Sequence, residues 1–339
     1  MKLFIYEYFA SGAKENQELK QAGWAMLSAV CKDISLMPEF RMTTVLDSSL
    51  VDHVFPLFIN KKLEIYWRRN QEDWMNLFKL ALDQCDAVLI IAPETGGILA
   101  ELTAIAEHYK KFVLGSSSKS LKLTCNKAEF YSLMNKQGLP VPRTEILRKP
   151  FVSDIKMNIF KKFSFPYVIK PAYGTGGQGV RLIKNKTELE DIILKLLIGE
   201  EETLLVQEYI PGQAVSVSLF VVDGKVLPLS CNQQMIENEN ELVIQGITTP
   251  YVHPLDQDII KIASEACQQI PGLKGFAGVD MVVNSQGPVL MEINSRITLA
   301  YVALREVIST NIARDLLLLC REDCLPEKPE LRGMYTYLL

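Results

Sequence analysis

Residues 275–296 read GFAGVDMVVNSQGPVLMEINSR, and this stretch decides the fold. An apolar run ends in Asn284-Ser285-Gln286-Gly287 and a second run begins at once, which is the pattern of two strands joined by a tight turn. With the turn centred on Gln286, Asp280 stands directly across the hairpin from Glu292. Asn294, two residues on, shares the face of Glu292. Side chains paired in this way lie roughly 4.5–5.5 Å apart at Cβ, where like charges repel. Two carboxylates on an otherwise apolar hairpin therefore need a shared cation. Their oxygens, with the amide of Asn294, select a hard ion such as Mg²⁺, with Mn²⁺ as a substitute. Mg²⁺ held by one or two carboxylates usually also holds substrate phosphates, so the hairpin points to nucleotide chemistry. Removing one acid is expected to weaken the metal and to relieve repulsion in the metal-free chain. The alternative is a solvated edge hairpin with two incidental acids.

About 110 residues upstream, 166–183 reads as strand, loop, strand: PYVIKP, then AYGTGGQG, then VRLI. A glycine-rich loop between two strands is neither a P-loop nor a dinucleotide fingerprint, because both of those open a helix. Gly174, Thr175, Gly176 and Gly177 let the backbone come close to an anion and present N–H groups to it, and they suit a lid. Lys170 ends the first strand in apolar surroundings, where an ammonium is costly unless it meets a partner or a ligand. A plain flexible turn is the alternative for the loop taken alone.

Farther out, strands at 2–6, 86–92 and 111–114 alternate with helical patterns at 71–84 and 97–109. This is a parallel α/β domain ending near residue 120. The polar run Gly115-Ser116-Ser117-Ser118 marks its exit. A helix at 127–137 stops at Gly138-Leu139-Pro140-Val141-Pro142, and another helix follows at 187–197. From residue 203 the pattern is β-rich, with a turn at Asp223-Gly224. Helices at 258–270, 299–308 and 311–320 complete the chain. The division is 1–120, 121–202 with the glycine-rich loop, and 203–325 with the metal hairpin.

The 339 residues are 48% hydrophobic and 22% charged, as in an ordinary globular enzyme, and are enough for two or three domains. A net charge of -4 leaves no basic footprint for nucleic acid. The apolar run Leu3–Tyr6 is broken by Glu7, too short for a signal peptide, and no run approaches the ~20 residues of a membrane span. Seven scattered cysteines without a Cys-x-x-Cys read as core residues of a reducing, cytoplasmic compartment. Three histidines far from them argue against zinc.

These pieces, in this order, resemble the ATP-grasp carboxylate–amine ligases. The resemblance spans about 120–320 of this chain. It rests on Lys127 before the Gly-Leu-Pro-Val-Pro exit, Lys170 in Val-Ile-Lys-Pro, the loop 174–179, and Gln207-Glu208-Tyr209-Ile210. It continues with Asp280 in Gly-Val-Asp and with Glu292-Ile293-Asn294-Ser295-Arg296. It implies an ATP-grasp fold, α/β with an α+β C-terminal part, behind a Rossmann-like pre-ATP-grasp domain. It also implies ATP and Mg²⁺ as cofactors and a small carboxylate and an amine as substrates. Lys127 and Lys170 would contact the phosphates and loop 174–179 would close over them. Gln207 would meet the adenine amine, with the backbone of Glu208, Tyr209 and Ile210 beside it. Asp280, Glu292 and Asn294 would hold the metal. Arg296 would steady the transferring phosphate, so that Arg296 and Lys170 form the catalytic pair.

Within the superfamily the chain is similar to the tyramine–glutamate ligase group, linked to methanofuran synthesis, through Tyr6-Glu7-Tyr8, Ile91-Ala92-Pro93-Glu94-Thr95 and Arg296-Ile297-Thr298. Three positions depart from the common pattern: Ser295 for proline, Ala214 for a ribose-binding acid, and Asn126 for the aspartate before Lys127. Glu7, Glu94, Asn232 and Gln234 are substrate candidates. For the last two a solvated strand face is the alternative, and Arg305 reads as a solvated helix position. The expected products are an amide, ADP and phosphate. The alternatives are an enzyme acting on bicarbonate or another amino acid, and a nucleotide-binding regulatory module without turnover. The oligomeric state, a homodimer included, is open.

Overall fold

The computed structural model describes residues 1–54, 63–69, 73–149, 164–174, 179–189, 203–238 and 242–339. Strands β1 (Lys2–Glu7), β2 (Arg41–Asp47), β3 (Leu63–Arg68), β4 (Ala87–Ile91) and β5 (Phe112–Val113) form an all-parallel sheet in the order β3-β2-β1-β4-β5. The continuous apolar run of β4 is what a strand covered on both faces requires. One face packs the helix Gln17–Ser35 through Met26, Leu27, Val30 and Ile34. The other packs Phe78, Leu82, Leu99 and Leu102 of the helices Trp74–Asp83 and Ile98–His108.

The second sheet joins β6 (Thr144–Arg148), β7 (Tyr167–Pro171), β8 (Arg181–Ile183) and β9 (Thr203–Glu208) in the antiparallel order β6-β9-β7-β8. It runs to Glu208, beyond residue 202, where the sequence reading divides the chain. The third sheet joins β10 (Gln213–Val222), β11 (Lys225–Asn238), β12 (Leu242–Thr249), β13 (Gly275–Asn284), β14 (Gly287–Asn294) and β15 (Tyr335–Leu338) in the antiparallel order β14-β13-β10-β11-β12-β15. Val215, Val217, Leu219 and Val279 pack one of its faces on the helix Asp256–Gln268. On the other face Phe220, Val222 and Phe276 join the core under the parallel sheet. The two ends of the molecule therefore share one apolar cluster. Asp33 adds a polar tie across it, accepting hydrogen bonds from Tyr301 Oη at 2.6 Å and from Arg305 Nε and Nη2 at 3.0 and 2.7 Å. Arg305 is thus a cross-domain link and not a solvated helix position.

The deciding hairpin forms with a different turn from the one expected. Asn284 pairs with Gly287 across a two-residue turn, so the hairpin is not centred on Gln286. A bulge then shifts the register between Asp280 and Met281, leaving Met291 as the extra residue and bringing Asp280 opposite Glu292. The expected pair is present because two displacements cancel.

The helix Gln17–Ser35, β2, β3, the helix Ser118–Cys125, β12 and β15 go beyond the sequence reading. Buried threonines at 43 and 44 break the apolar run of β2. Ser118, taken for an exit, opens a helix because Ser117 caps it, accepting from the Ser120 amide. β15 has four residues and exists through its ladder to β12. The helix expected at 187–197 lies mostly outside the described residues. Among the described residues no helix is long and apolar enough to cross a membrane.

Candidate active site

The site lies where the second and third sheets meet the carboxyl edge of the parallel sheet. Asn126 caps the helix Lys127–Lys136, its Oδ1 accepting from the amides of Ala128 and Glu129 at 3.0 and 3.3 Å. An asparagine oxygen serves a cap as well as an aspartate does, so this departure leaves Lys127 in place. The Lys127 amide is tied to Ala172 O at 2.8 Å, and its ammonium donates to Gly174 O at 2.8 Å. The same ammonium lies 2.6 Å from Glu292 Oε2. The lysine expected to meet phosphate, the start of the glycine-rich loop and the hairpin expected to hold the metal thus meet at one nitrogen. Thr175, Gly176 and Gly177 lie outside the described residues.

Lys170, buried on β7 opposite Leu205, sits near Lys127. Burial, and then the charge of Lys127, push its ammonium down to about 8 against the opposing pull of Glu292. The two acids also part company. Burial and then the charge of Glu292 raise the Asp280 carboxyl. Burial acts upward on Glu292 too, but Lys127, Lys170 and Arg296 together outweigh it and hold that carboxyl below its ordinary value.

Asp280 Oδ1 accepts from Gln234 Nε2 and Oδ2 accepts from Asn294 Nδ2, each at 2.9 Å. Among the described residues no three His, Cys, Asp or Glu side chains converge. A metal here would rest on two carboxylates and the Asn294 amide oxygen, a sparse hard-oxygen set that fits Mg²⁺ and its retained waters. The Lys127 ammonium on Glu292 already shows that a cation is accommodated at this carboxylate.

Neither Asn232 nor Gln234 lies on a solvated strand face. Asn232 is 0% exposed and donates to Ser216 O, Ser216 Oγ and Ser218 Oγ at 3.1–3.2 Å, so it presents no surface to a ligand. Ser216 pairs with Asn232 on one side and with Asp280 on the other, which sets a polar row under the two hairpin acids. Sequence reasoning missed the serines, although the alternation Ser216-Val217-Ser218 on a buried strand carried the signal. It also missed Thr144, whose Oγ1 accepts from Gln207 Nε2 at 2.8 Å. Glu208 Oε1 accepts from the Arg143 amide at 2.7 Å, and Tyr209 and Ile210 follow half-buried.

Glu7 and Glu94 stand at the carboxyl ends of neighbouring strands β1 and β4. Glu7 is buried, accepts from the Ala10 amide at 2.6 Å, and is pushed up to about 8 by burial against that bond and the charge of Arg296. Its carboxylate fits only because residue 23 is glycine: a Cβ there would lie 2.2 Å from Oε2. Glu94 precedes Gly96 and Gly97, whose φ values of 60° and 75° turn the chain into the next helix. Its two oxygens accept from Arg296 Nε and Nη2 at 2.9 and 2.8 Å.

This geometry agrees with three comparisons. The ATP-grasp domain model matches residues 124–300, and a pre-ATP-grasp domain model matches 40–121. The tyramine–L-glutamate ligase of Methanocaldococcus jannaschii is 30% identical over 305 residues, 89% of this chain and 84% of that protein. The D-alanine–D-alanine ligase of Bacillus anthracis (strain CDC 684) is 24% identical over 269 residues, 78% of this chain and 82% of that protein. The crystal structure of an ATP-grasp superfamily protein from Archaeoglobus fulgidus superposes with a TM-score of 0.74 at 24% identity, covering 100% of this chain and 92% of that one. An ATP-grasp match over more than half the chain, with a relative 30% identical along most of it, places this protein in the ATP-grasp family of carboxylate–amine ligases.

Proposed function

We propose that the chain couples the side-chain carboxylate of glutamate to tyramine or a related aryl-ethylamine, at the expense of ATP. The observation that carries the reaction class is the Lys127 ammonium, which joins Gly174 O to Glu292 and so marks where a phosphate chain would lie. The choice of substrates rests on the likeness to the tyramine–L-glutamate ligase.

In this reading a carboxylate oxygen attacks the terminal phosphorus and ADP leaves. The amine nitrogen then attacks the acyl carbon, loses a proton, and phosphate departs with one former carboxylate oxygen. Lys127 and Lys170 neutralise the phosphates, and the charge of the Arg296 guanidinium, its Nε–Nη2 edge held by Glu94, steadies the transferring group. Gln207 gives its amide hydrogen to Thr144, which turns its oxygen to the adenine amine. Asp280, Glu292 and Asn294 would hold Mg²⁺, which when bound neutralises phosphate charge. The chain's share of catalysis is then positioning and charge. Glu7, which burial keeps mainly as the neutral acid in the free protein, would give up its proton beside a substrate ammonium, whose charge favours the carboxylate.

The test is a panel of carboxylates and amines scored by ADP release, followed by glutamate labelled with ¹⁸O in its side chain. The expected result is one label in the released phosphate for each amide formed. Label in AMP, or release of pyrophosphate, would overturn the mechanism. Turnover with another acid and none with glutamate would reject the substrate alone.

Lys170 makes a second expectation. Free, its conjugate acid titrates near 8; triphosphate brought beside it favours the charged form. Above pH 8, ATP binding should therefore take up to about one proton, and affinity should fall as pH rises, by at most ~10-fold per unit. Calorimetry at pH 9 in buffers of different protonation enthalpy measures the uptake. Equal uptake in Lys170→Met would assign the proton elsewhere.

A further inference from the structure

Arg296 meets Glu94 through two donors on one edge of its guanidinium, Nε and Nη2, each on a separate carboxylate oxygen. A two-point contact of this kind fixes the plane of the guanidinium as well as its position, which a single hydrogen bond cannot do. The partners come from opposite sides of the site, 202 residues apart, one at the end of β4 and the other just past β14. Both are held from behind. The Glu94 carbonyl accepts from the Gly97 amide at 3.0 Å in the left-handed glycine turn. Arg296 Nη1 donates to Ile297 O at 3.1 Å. Glu94 is 3% exposed and both its oxygens are engaged, so it is badly placed to receive a substrate group. The other buried acid near Arg296, Glu7, is turned to the Ala10 amide instead. Glu292 also attracts the guanidinium through its charge, and Arg296 Nη2 lies 3.5 Å from Asn294 Oδ1. Without Glu94, Arg296 would be drawn onto the metal-binding side chains.

We propose that Glu94 is a positioning residue, which sets the Arg296 guanidinium against the terminal phosphate of ATP and keeps it off Glu292 and Asn294, and that it is not a substrate contact. The proposal rests on the reading of Arg296 as the terminal-phosphate ligand. The parallel-sheet domain thereby supplies an orienting group to a phosphate site built on the other two sheets.

The test needs neither substrate. Calorimetric affinities for ADP and for a non-hydrolysable ATP analogue, at fixed Mg²⁺, are compared in wild type, Glu94→Gln, Arg296→Met and the double variant. The expected result is a loss of about tenfold for the triphosphate in each single variant, with ADP within twofold and no further loss in the double. Three results would overturn the proposal: unchanged triphosphate affinity in Glu94→Gln, ADP and triphosphate weakening together, or losses that multiply in the double variant. If Glu94→Gln fails to fold, Glu94→Asp, which keeps the charge but withdraws it by one methylene, carries the same comparison. Wild-type protein that binds neither nucleotide would reject the ATP reading itself.

Discussion

Glu292→Gln should lower ATP turnover by at least ~10³-fold, about 4 kcal/mol of transition-state stabilisation, while the fold persists. Glutamine keeps the shape but removes the charge that both a divalent ion and the Lys127 ammonium need. From two facing acids alone, the metal-free variant would be expected to gain stability as repulsion is relieved. The structure reverses that sign. Lys127 already neutralises Glu292 at 2.6 Å, so the variant leaves a buried ammonium with a weaker acceptor and loses roughly 1–3 kcal/mol. Steady-state kinetics against Mg²⁺, with thermal melting beside them, measure both. Wild-type turnover at low Mg²⁺ would sink the metal assignment, and a raised melting temperature would sink the account of Lys127.

Gly212→Ala should destabilise the protein and weaken nucleotide binding together. Gly212 lies between the segment Gln207–Ile210 and β10, and packs against the backbone of β13. A Cβ there would sit 2.3 Å from the Val283 carbonyl oxygen and 2.8 Å from Val282 Cγ1. The obstacle is backbone in a paired strand, which cannot rotate away as a side chain could. Overpacking of this kind typically costs about 1–3 kcal/mol, which would lower the melting temperature by several degrees. The strand that must yield also carries Asp280, so ATP affinity in the presence of Mg²⁺ should fall at least several-fold as well. Gly224→Ala, where no atom lies within 4 Å of the added Cβ, separates the clash from the φ of +71° found at that turn. A Gly212→Ala protein that melts with wild type and binds ATP equally would show that β13 yields freely.

Much of the candidate site was legible because each of its parts is local. A lysine closing an apolar strand, glycines between two strands, and two acids facing each other on an otherwise apolar hairpin each stand out over a short stretch of sequence. Their order along the chain did the rest. The parallel sheet was read only in part. β4 announces itself as five apolar residues, whereas β2 hides behind Thr43 and Thr44, and β15 is too short to be a strand without β12 beside it.

Composition and pattern determined the alternation of strands and helices at the N-terminus, the β-rich C-terminal part, the hairpin of Asp280 and Glu292 and the two lysines, because hydrophobic period and turn chemistry are properties of neighbouring residues. The tertiary structure alone decided which charges meet. Lys127 on Glu292, Glu94 on Arg296 and Arg305 on Asp33 join residues whose separation in sequence carries no periodic trace. Even the opposition of Asp280 and Glu292 depends on a bulge at Met291 that no residue type announces. Such pairs form where burial removes water from around the charges and leaves each only the partner that folding brings to it.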